Sequence, residues 1–334
     1  MRPSGRNRRV LLTGASGTVG ALAGRALLAA GVPLRVLVHR RPPAWIAPGA
    51  GVETRTGDVL LPPSLRGVAD ECDAVVHAAG RTGFGALDRE RQRRVNVEGT
   101  EAMLREAESA GVRRFVLVGY TGTIQERGGD AAVDESTPPV MQYESEYVRM
   151  KLEAEALTLE ANRPESFRTM VVSPGVLLGA GGDSLLGSLA LLFLRQELPF
   201  RLLEDVWVAV TAESDVGPAL LAALERGAGG RRYFAIGESM RLAAFYRMLE
   251  ARSGVPAPRR RLPDLLVEEL GLLAPLLPPH SFLRRLVLPR ELALHLRRLA
   301  PARNDRTRAE LGFTPRPMDD LLDEVVREGR ARPE

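Results

Sequence analysis

Lysine is almost absent from this sequence. Lysine and arginine together number 46 among 334 residues, and Lys151 is the single lysine, so arginine supplies the other 45 of these residues. A lysine ammonium is compact, carries three rotatable donors and has a pKa that burial can move, whereas the arginine guanidinium is a planar fork that stays charged. The exception at residue 151 therefore indicates a task that arginine cannot perform.

Other scarcities exclude whole classes of protein. A single cysteine, Cys72, cannot form an internal disulfide framework and is typical of a reducing cytoplasm. The four histidines lack the spacing of metal ligands, so we expect no metal site. No run approaches the roughly 20 uncharged apolar residues of a membrane-spanning helix. The basic residues 1–9 lack the apolar segment of a secretory signal, so we expect a cytoplasmic protein.

Charge and aromatic content argue against a nucleic-acid partner. The net charge is only +4, aromatic residues make up 5% of the chain, and the arginines are dispersed among aspartate and glutamate. A nucleic-acid-binding face would concentrate positive charge and interleave it with aromatic side chains. Apolar residues at 45% and charged residues at 26% instead indicate a globular protein of one large or two medium domains.

The first half of the sequence alternates strands with helices. Strands are predicted at residues 10–12, 34–38, 52–56, 74–77, 115–118 and 169–172, and helices at residues 21–30, 63–68, 89–110 and 144–161. This alternation predicts an α/β fold, a doubly wound parallel sheet of Rossmann type with right-handed crossovers. Ligands of such sheets bind beyond the carboxyl ends of the strands.

The second half is less regular. A glycine-rich stretch at 179–182 precedes an apolar helix at 184–194, and residues 233–237 predict a strand followed by a helix at 241–252. We expect residues 1–178 to form a dinucleotide-binding domain to which residues 213–238 return. Residues 179–212 and 239–334 are expected to form a smaller, mostly helical substrate-binding region across the carboxyl edge of the sheet.

The first strand runs into a glycine-rich turn and then an alanine-rich helix. Gly14 allows the tight turn, Gly17 lets the backbone approach a pyrophosphate, and Gly20 lets the helix pack close to the strand. Phosphates then bind the unpaired N–H groups at the positive end of the helix. We predict a dinucleotide cofactor on this loop, held by Gly14, Ser16, Gly17, Thr18, Val19 and Gly20.

The end of the second strand favours NADP over NAD. An Asp or Glu there would hold the ribose 2′-hydroxyl of NAD, but the sequence continues with His39, Arg40 and Arg41. Arginine pairs with a phosphate through two charge-assisted hydrogen bonds, so both arginines are candidates for the 2′-phosphate. The alternative is that they are ordinary surface charges.

Together these motifs resemble the extended short-chain dehydrogenase/reductase family (the NAD-dependent epimerase/dehydratase superfamily) over nearly the whole chain. Its catalytic pair matches Tyr147 and Lys151. The other matching segments are Gly57-Asp58-Val59, Val76-His77-Ala78-Ala79-Gly80, Asn96-Val97-Glu98-Gly99-Thr100, Val172-Ser173-Pro174-Gly175-Val176 and residues 305–315. The resemblance implies that the cofactor is contacted by Asp58, Val59, Ala78, Ala79, Gly80, Tyr147, Lys151, Pro174 and Val176.

The resemblance also implies a mechanism. A carbonyl that accepts hydride needs a proton donor within reach, and Tyr147 is the candidate general acid/base. Four residues apart on a helix, Lys151 shares its face and is expected to lower the Tyr147 pKa and to bond the nicotinamide ribose. Asn96 holds a water that relays protons to Lys151, unless it only bonds within its helix.

Three departures from the family pattern bear on the function. The catalytic serine position after strand five falls in Val118-Gly119-Tyr120-Thr121-Gly122-Thr123, where counting from the strand selects Thr121. Ser173 replaces an arginine, and Val176 replaces the asparagine of nucleotide-sugar members, which disfavours a sugar-nucleotide substrate. The remaining pattern is most similar to the dihydroflavonol-reductase and 3β-hydroxysteroid-dehydrogenase branch.

We therefore predict an NADP(H)-dependent oxidoreductase that interconverts a ketone or aldehyde and an alcohol on a hydrophobic small metabolite. Two alternatives stay open: a nucleotide-sugar epimerase or dehydratase with bound NAD, and a non-catalytic NADP-binding protein.

Three further features concern the substrate and partners. The leucines of residues 184–194 and 262–299 either line a pocket for an apolar compound or only pack between helices. The leucine- and arginine-rich residues 282–290, followed by Arg297 and Arg298, indicate either a weak peripheral membrane contact or a solvated helix face. The family resemblance implies a homodimer through the helices at 89–110 and 144–161.

Overall fold

The computed structural model describes residues 9–46, 51–85, 88–140, 142–181, 184–277 and 287–331. Residues 282–286, which belong to the predicted membrane-contact segment, lie outside this range, as does Gly182 of the glycine-rich stretch. Among the described helices, none is long and apolar enough to cross a membrane.

A parallel sheet of seven strands forms the centre of the described fold. Its spatial order is β3-β2-β1-β4-β5-β6-β9, and every neighbouring pair is parallel. The strands are β1 (Val10–Thr13), β2 (Leu34–Val38), β3 (Glu53–Thr56), β4 (Ala74–His77), β5 (Arg114–Val118), β6 (Arg168–Pro174) and β9 (Arg231–Ala235). The predicted doubly wound Rossmann sheet is thereby confirmed, and all six strands predicted before residue 178 are present.

Helices cover both faces of the sheet. They are α1 (Thr18–Ala29), α2 (Arg89–Arg93), α3 (Gly99–Ser109), α4 (Gly122–Gln125), α5 (Glu146–Glu160) and α7 (Glu213–Arg226), with a π-helical segment (Arg94–Glu98) joining α2 to α3. Because successive strand residues point to opposite faces, Leu12 packs with α1 and α7 while its neighbour Leu11 packs with α3 and α5. The central strands are buried on both faces and mostly apolar, which is why they could be recognised in the sequence.

The remaining chain forms a second layer with its own apolar core. Its elements are a three-stranded sheet, β7 (Val176–Leu178), β8 (Trp207–Ala212) and β10 (Ser239–Arg241), and the helices α6 (Leu185–Leu194), α8 (Leu242–Ser253), α9 (Asp264–Gly271), α10 (Arg290–Arg297), α11 (Asp305–Leu311) and α12 (Met318–Ala331). β8 pairs in parallel with β7 and antiparallel with β10.

This small sheet is where the region differs from the mostly helical expectation. β7 and β10 have three residues each, which is too short for a periodic signal. The apolar run of β8 is buried along its length and could equally be a helix by periodicity. The helix predicted at 63–68 is also shorter in the structure, a single 3-10 turn (Pro62–Leu65).

Candidate active site

Two glycines of the first loop are required by the backbone around them. Gly14 has φ +71°, and a Cβ there would lie 2.4 Å from the Ala78 carbonyl. A Cβ on Gly20 would lie 2.1 Å from the Gly14 carbonyl oxygen, so β1 and α1 can meet only without that atom. A Cβ on Gly17 would find its nearest neighbour at 3.5 Å, in ordinary contact. Gly17 is therefore dispensable for packing, and its missing side chain keeps the space above the loop clear.

The start of α1 is suited to an anion. Gly17 caps the helix without a side-chain hydrogen bond, and no acidic residue lies in the first turn. Thr18, Val19 and Gly20 form that turn, so their N–H groups point to the carboxyl edge of the sheet with the positive end of the helix dipole. These features fit the phosphates of a dinucleotide.

A cavity of about 360 Å³ lies directly beside this loop. It collects seven of the predicted cofactor residues, namely Gly14, Ser16, Arg41, Asp58, Val59, Ala79 and Gly80. The cavity is also lined by His39, Arg81 and Arg91, which the sequence motifs did not indicate as cofactor residues. Arg40 is exposed outside the lining, so the two candidate arginines are not equivalent. His39 Nε2 lies 3.2 Å from Asp58 Oδ2.

A larger cavity, of about 720 Å³, lies at the other end of the same strands. Its lining includes Val10, Ala74, Arg114 and Arg168, which begin their strands. Parallel sheets bind ligands beyond the carboxyl ends, and the glycine loop is there. The smaller cavity is therefore the candidate cofactor site.

A buried histidine ties the cofactor loop to β4. His77 Nδ1 lies 2.8 Å from Thr13 Oγ1, and that hydroxyl also accepts from Ala79 N at 3.1 Å. Thr100 Oγ1 lies 3.2 Å from the other ring nitrogen. Burial, with the nearby charge of Lys151, lowers the His77 pKa to about 3, so the ring is neutral and holds the two strand ends together.

Tyr147 and Lys151 share the inner face of α5. Ser145 caps this helix by accepting from Val148 N, and Tyr147 is only 8% exposed. The Lys151 ammonium donates to the Val118 carbonyl at 2.7 Å, at the carboxyl end of β5. Burial lowers the pKa of Lys151 to about 8, although nearby Glu155 opposes the shift.

The electrostatics of Tyr147 differ from the expectation. Burial raises the Tyr147 pKa above the ordinary value for a phenol, whereas the sequence predicted that Lys151 would lower it. The reason is that the phenolate would lose its water at this site, while the Lys151 ammonium bonds the Val118 carbonyl. Without a cofactor, Tyr147 therefore carries its proton at neutral pH.

The loop after β5 presents Tyr120 to Tyr147. The two ring centroids are 6.3 Å apart. Thr121, the predicted orienting residue, is fully buried, and its hydroxyl and that of Ser173 have no hydrogen-bond partner among the described residues. Thr121 N donates to the Pro174 carbonyl at 3.1 Å, which fixes the loop to β6. The catalytic role of Thr121 stays a prediction.

A buried chain of polar groups extends from Tyr120. The Tyr120 hydroxyl lies 3.0 Å from His295 Nε2, and His295 Nδ1 makes a short contact with the Glu126 carboxylate. His295 and Glu126 are both fully buried. Phe84 stacks on the His295 ring at 5.2 Å and meets the Tyr147 ring edge-on at 5.1 Å. His295 belongs to α10, far along the chain, so no sequence signal linked it to this site.

A second residue of α10, Glu291, holds α10 against the start of α5 through hydrogen bonds. Glu291 accepts from Ser145 Oγ at 2.8 Å and from Gly85 N at 2.5 Å. Glu291 and His295 are one turn apart, so both lie on the side of α10 toward α5. The second layer thus contributes directly to the candidate site.

Asn96 has a use different from the predicted water relay. Its side-chain oxygen accepts from Arg81 N at 2.7 Å, and its amide nitrogen donates to the Arg81 carbonyl at 3.0 Å. These bonds shape the loop after β4 that lines the cofactor cavity. The relay stays a prediction. Pro174 and Val176, at the junction of β6 and β7, lie at the same carboxyl edge.

Comparison with known proteins gives a consistent set of relatives. The model of the NAD dependent epimerase/dehydratase family matches residues 10–237. "Sterol demethylase protein B" of Methylococcus capsulatus is 30% identical over 91% of this chain and 93% of its own. A 4-hydroxy-2-methyl-3-oxo-4-farnesyl-3,4-dihydroquinoline-1-oxide ketoreductase of Stigmatella aurantiaca is 30% identical over 92% of each. The crystal structure of gox2253 superposes with a TM-score of 0.79 at 25% identity, covering 97% of this chain and 98% of that one.

Proposed function

The chain belongs to the NAD-dependent epimerase/dehydratase family, the extended short-chain dehydrogenases/reductases, and is an NAD(P)-dependent oxidoreductase; we propose that it uses NADP(H) to interconvert a ketone and an alcohol on an apolar metabolite. The observation that carries this proposal is the buried Tyr147 one helical turn from the only lysine, at the edge of the sheet beside the candidate cofactor cavity.

Tyr147 gives its proton to the substrate in reduction. A nicotinamide cofactor, when bound, would supply the hydride for the carbonyl carbon, and the carbonyl oxygen would then need a proton. The raised pKa keeps the phenol protonated until that moment. Lys151, one turn along, turns its ammonium toward the ribose and stabilises the phenolate left behind. In oxidation the same phenolate takes the proton of the alcohol.

Tyr120 supplies a second hydrogen bond to the carbonyl oxygen. His295 Nδ1 faces the Glu126 carboxylate, and a proton on His295 Nε2 donates to the Tyr120 oxygen. The Tyr120 O–H is then free to donate to the substrate. Burial, with added effects of Tyr147 and Glu126, raises the Tyr120 pKa, so this hydroxyl keeps its proton. Thr121, the buried next residue, is the alternative donor of this hydrogen bond to the carbonyl oxygen.

Arg41 reads the 2′-phosphate of NADP. Of the two candidate arginines it lines the cavity, where Arg81 and Arg91 add positive charge. Asp58 is the carboxylate of this cavity, and its Oδ1 accepts from Leu60 N while Oδ2 meets His39. Both of its oxygens thus have partners in the protein, which leaves the cationic side chains for the phosphate.

The apolar side chains of the second layer support an apolar substrate. Leu185, Leu189 and Leu192 of α6 line a narrow cavity together with Leu242 and Leu296. Leu296 directly follows His295, so this apolar space adjoins the residue that holds Tyr120. The two relatives described above are named for a sterol and for a farnesylated quinoline oxide, and both compounds are bulky and largely apolar.

The test is a cofactor and substrate screen. The purified protein is examined by mass spectrometry for copurifying nucleotide, and NADPH and NADH consumption are then followed over a panel of apolar and polar ketones. NADPH-dependent reduction of apolar ketones supports the proposal. Tightly held NAD, with turnover of a uridine- or thymidine-diphosphate sugar and no ketone reduction, would instead support the epimerase alternative.

A cytoplasmic homodimer through the helices at 89–110 and 144–161 belongs to the same proposal and rests on the family resemblance.

A further inference from the structure

Exposed leucines are concentrated in one short segment. Among the described residues, seven large apolar side chains are strongly exposed, and six of them are leucines between residues 265 and 276. Their exposed fractions run from 40% at Leu270 to 79% at Leu276. We call this surface the leucine face: Leu265, Leu266, Leu270, Leu272, Leu273 and Leu276. An exposed apolar patch on the order of several hundred Å² marks an interaction site rather than ordinary surface.

The side of α9 opposite the leucine face packs against α10, which keeps the leucines directed toward solvent. Val267, Glu268 and Gly271 are buried, and Glu268 pairs with Arg297 of α10. A Cβ on Gly271 would lie 2.6 Å from Arg290 N, so α9 is pressed against the start of α10. Because this side anchors the helix, its leucines cannot turn inward without breaking the α9–α10 contact.

Positive charge borders the leucine face at both ends of α9. Arg259 and Arg260 are exposed a few residues before the helix, and Arg290 is exposed beside Gly271 at its end. These three arginines form no ion pair with another of the described residues. The helix acids Asp264 and Glu268 pair with Arg261 and Arg297, which leaves Glu269 as the exposed acid of α9.

An apolar cavity of about 330 Å³ lies behind the leucine face, and every residue that lines it is apolar. Leu270 and Leu273 belong to both the face and the cavity lining. Leu198, Phe200 and Leu202 close the cavity on the side of the second-layer core. A compound dissolved among lipid tails would meet the cavity without crossing water.

We propose that the leucine face docks on an anionic lipid bilayer and that the cavity behind it receives an apolar substrate from that bilayer. Leucines enter the acyl boundary while the flanking arginines meet lipid phosphates, the combination by which amphipathic helices bind membranes. A protein partner is disfavoured because the surface is uniformly leucine, without the aromatic side chains enriched in protein interfaces. The first part of this proposal, the docking half, is that the leucine face binds the bilayer, and it does not depend on the proposed function. The second part, the substrate half, is that the cavity receives a substrate from the bilayer, and it rests on the proposed function.

The docking test is co-sedimentation of the full chain with vesicles of phosphatidylcholine alone or with added phosphatidylglycerol. The double variant Leu265→Ser/Leu276→Ser removes two exposed leucines that do not line the cavity. The control is Leu61→Ser, since Leu61 is 56% exposed and lies in the loop after β3, far along the chain from α9. We expect the wild type and the control to pellet with anionic vesicles, less so at high salt, and the double variant to bind about 10-fold more weakly or worse.

Several results would overturn the docking half. One is a wild-type protein that stays in the supernatant with both vesicle types, and another is a double variant that pellets like the wild type. A third is a dimer in light scattering that the double variant, but not Leu61→Ser, converts to a monomer, since the face would then join two copies. An unchanged melting temperature excludes misfolding of the variant.

The substrate half is tested by comparing a ketone embedded in vesicles with a water-soluble ketone. We expect the double variant to lose about 10-fold in kcat/KM for the embedded ketone and nothing for the soluble one. Equal rates for wild type and variant on the embedded ketone would overturn this half. If no ketone is reduced at all, the proposed function fails, while the vesicle binding is decided independently.

Discussion

The Tyr120 hydroxyl lies 3.0 Å from Nε2 of His295, and this contact joins the loop after β5 to α10 of the second layer. Gly122 makes room for it, since a Cβ there would lie 2.1 Å from Tyr120 Cε1 and 2.9 Å from His295 Cε1. A helix from the second half of the chain thereby completes the candidate site at the carboxyl edge of the sheet.

Replacing Tyr120 with Phe tests this contact as a source of catalysis. The variant keeps the ring against Tyr147 and removes the hydroxyl, so we expect kcat to fall by about 10- to 100-fold while the Kd of NADPH stays the same. The matched control is Thr121→Val, which removes the neighbouring hydroxyl at nearly constant volume. A loss in Thr121→Val with near-normal kcat in Tyr120→Phe would transfer the orienting role to Thr121.

Arg41 and Arg40 form a natural pair for testing cofactor choice. Arg41 lines the cavity and Arg40 does not. We expect Arg41→Ala to weaken NADPH by about 10-fold or more, because charge-assisted hydrogen bonds contribute about 1.5–3 kcal/mol. Arg40→Ala should change it little, and neither variant should alter NADH binding. Calorimetric titration of each variant with NADPH and with NADH measures both affinities. Equal losses of affinity for the two cofactors would contradict the assignment of Arg41 to the 2′-phosphate.

Gly17 and Gly20 should fail in different ways when replaced by Ala. A Cβ on Gly20 collides with the Gly14 carbonyl, so we expect the free energy of unfolding to fall by about 1–3 kcal/mol. Gly17→Ala meets no atom closer than 3.5 Å and should melt like the wild type. It should nevertheless bind cofactor weakly, since the methyl group occupies the space for the pyrophosphate. Thermal melts beside fluorescence titrations separate the two effects, and tight NADPH binding by Gly17→Ala would contradict the loop assignment.

Cofactor affinity should depend on pH through Lys151. Its pKa is about 8 without cofactor, so the ammonium that meets the ribose is present below pH 8 and lost above it. We expect the Kd of NADPH to be nearly constant up to about pH 7, to be about doubled at pH 8 and to rise by up to about 10-fold per pH unit above that. Titrations of Lys151→Met should give a weaker affinity with no such rise, whereas a parallel rise in this variant would assign the titration to another group.

The lowered pKa of Lys151 also affects stability, and here the effect becomes more favourable as the pH rises. Between pH 8 and 10.5 the unfolded chain keeps the Lys151 proton while the folded protein releases it, so this residue contributes a free energy of unfolding that increases with pH. Below pH 8 the buried charge destabilises the cofactor-free fold. This cost is consistent with a residue kept for catalysis.

The parts that the sequence predicted are those with local signals. The Gly14, Gly17 and Gly20 spacing, the Tyr147–Lys151 spacing and the apolar strands each lie within one short segment. The shape of the glycine loop, the seven-stranded sheet and the shared face of α5 agree with those signals.

The parts it did not predict depend on contacts between distant segments. His295 meets Glu126 across 169 residues, and Glu291 meets Ser145 across 146, so periodicity could not connect them. Burial likewise decides the Tyr147 pKa, and burial belongs to the folded state. The membrane contact expected at 282–290 stays a prediction, since residues 282–286 lie outside the described range. Six of the seven strongly exposed leucines among the described residues lie at 265–276, and Arg297 and Arg298 pair with Glu268 and Glu144.

The central claim is that Tyr147 is the proton donor and that Lys151 serves it in a way arginine cannot. The most direct measurement is single-turnover hydride transfer beside the Kd of NADPH, for the wild type, Tyr147→Phe and Lys151→Arg. We predict that Tyr147→Phe binds NADPH normally but transfers hydride about 100-fold more slowly or worse. Lys151→Arg should lose both binding and transfer despite its charge, because the planar guanidinium does not fit the ammonium's place beside the Val118 carbonyl. Near-normal transfer in Tyr147→Phe would contradict the account.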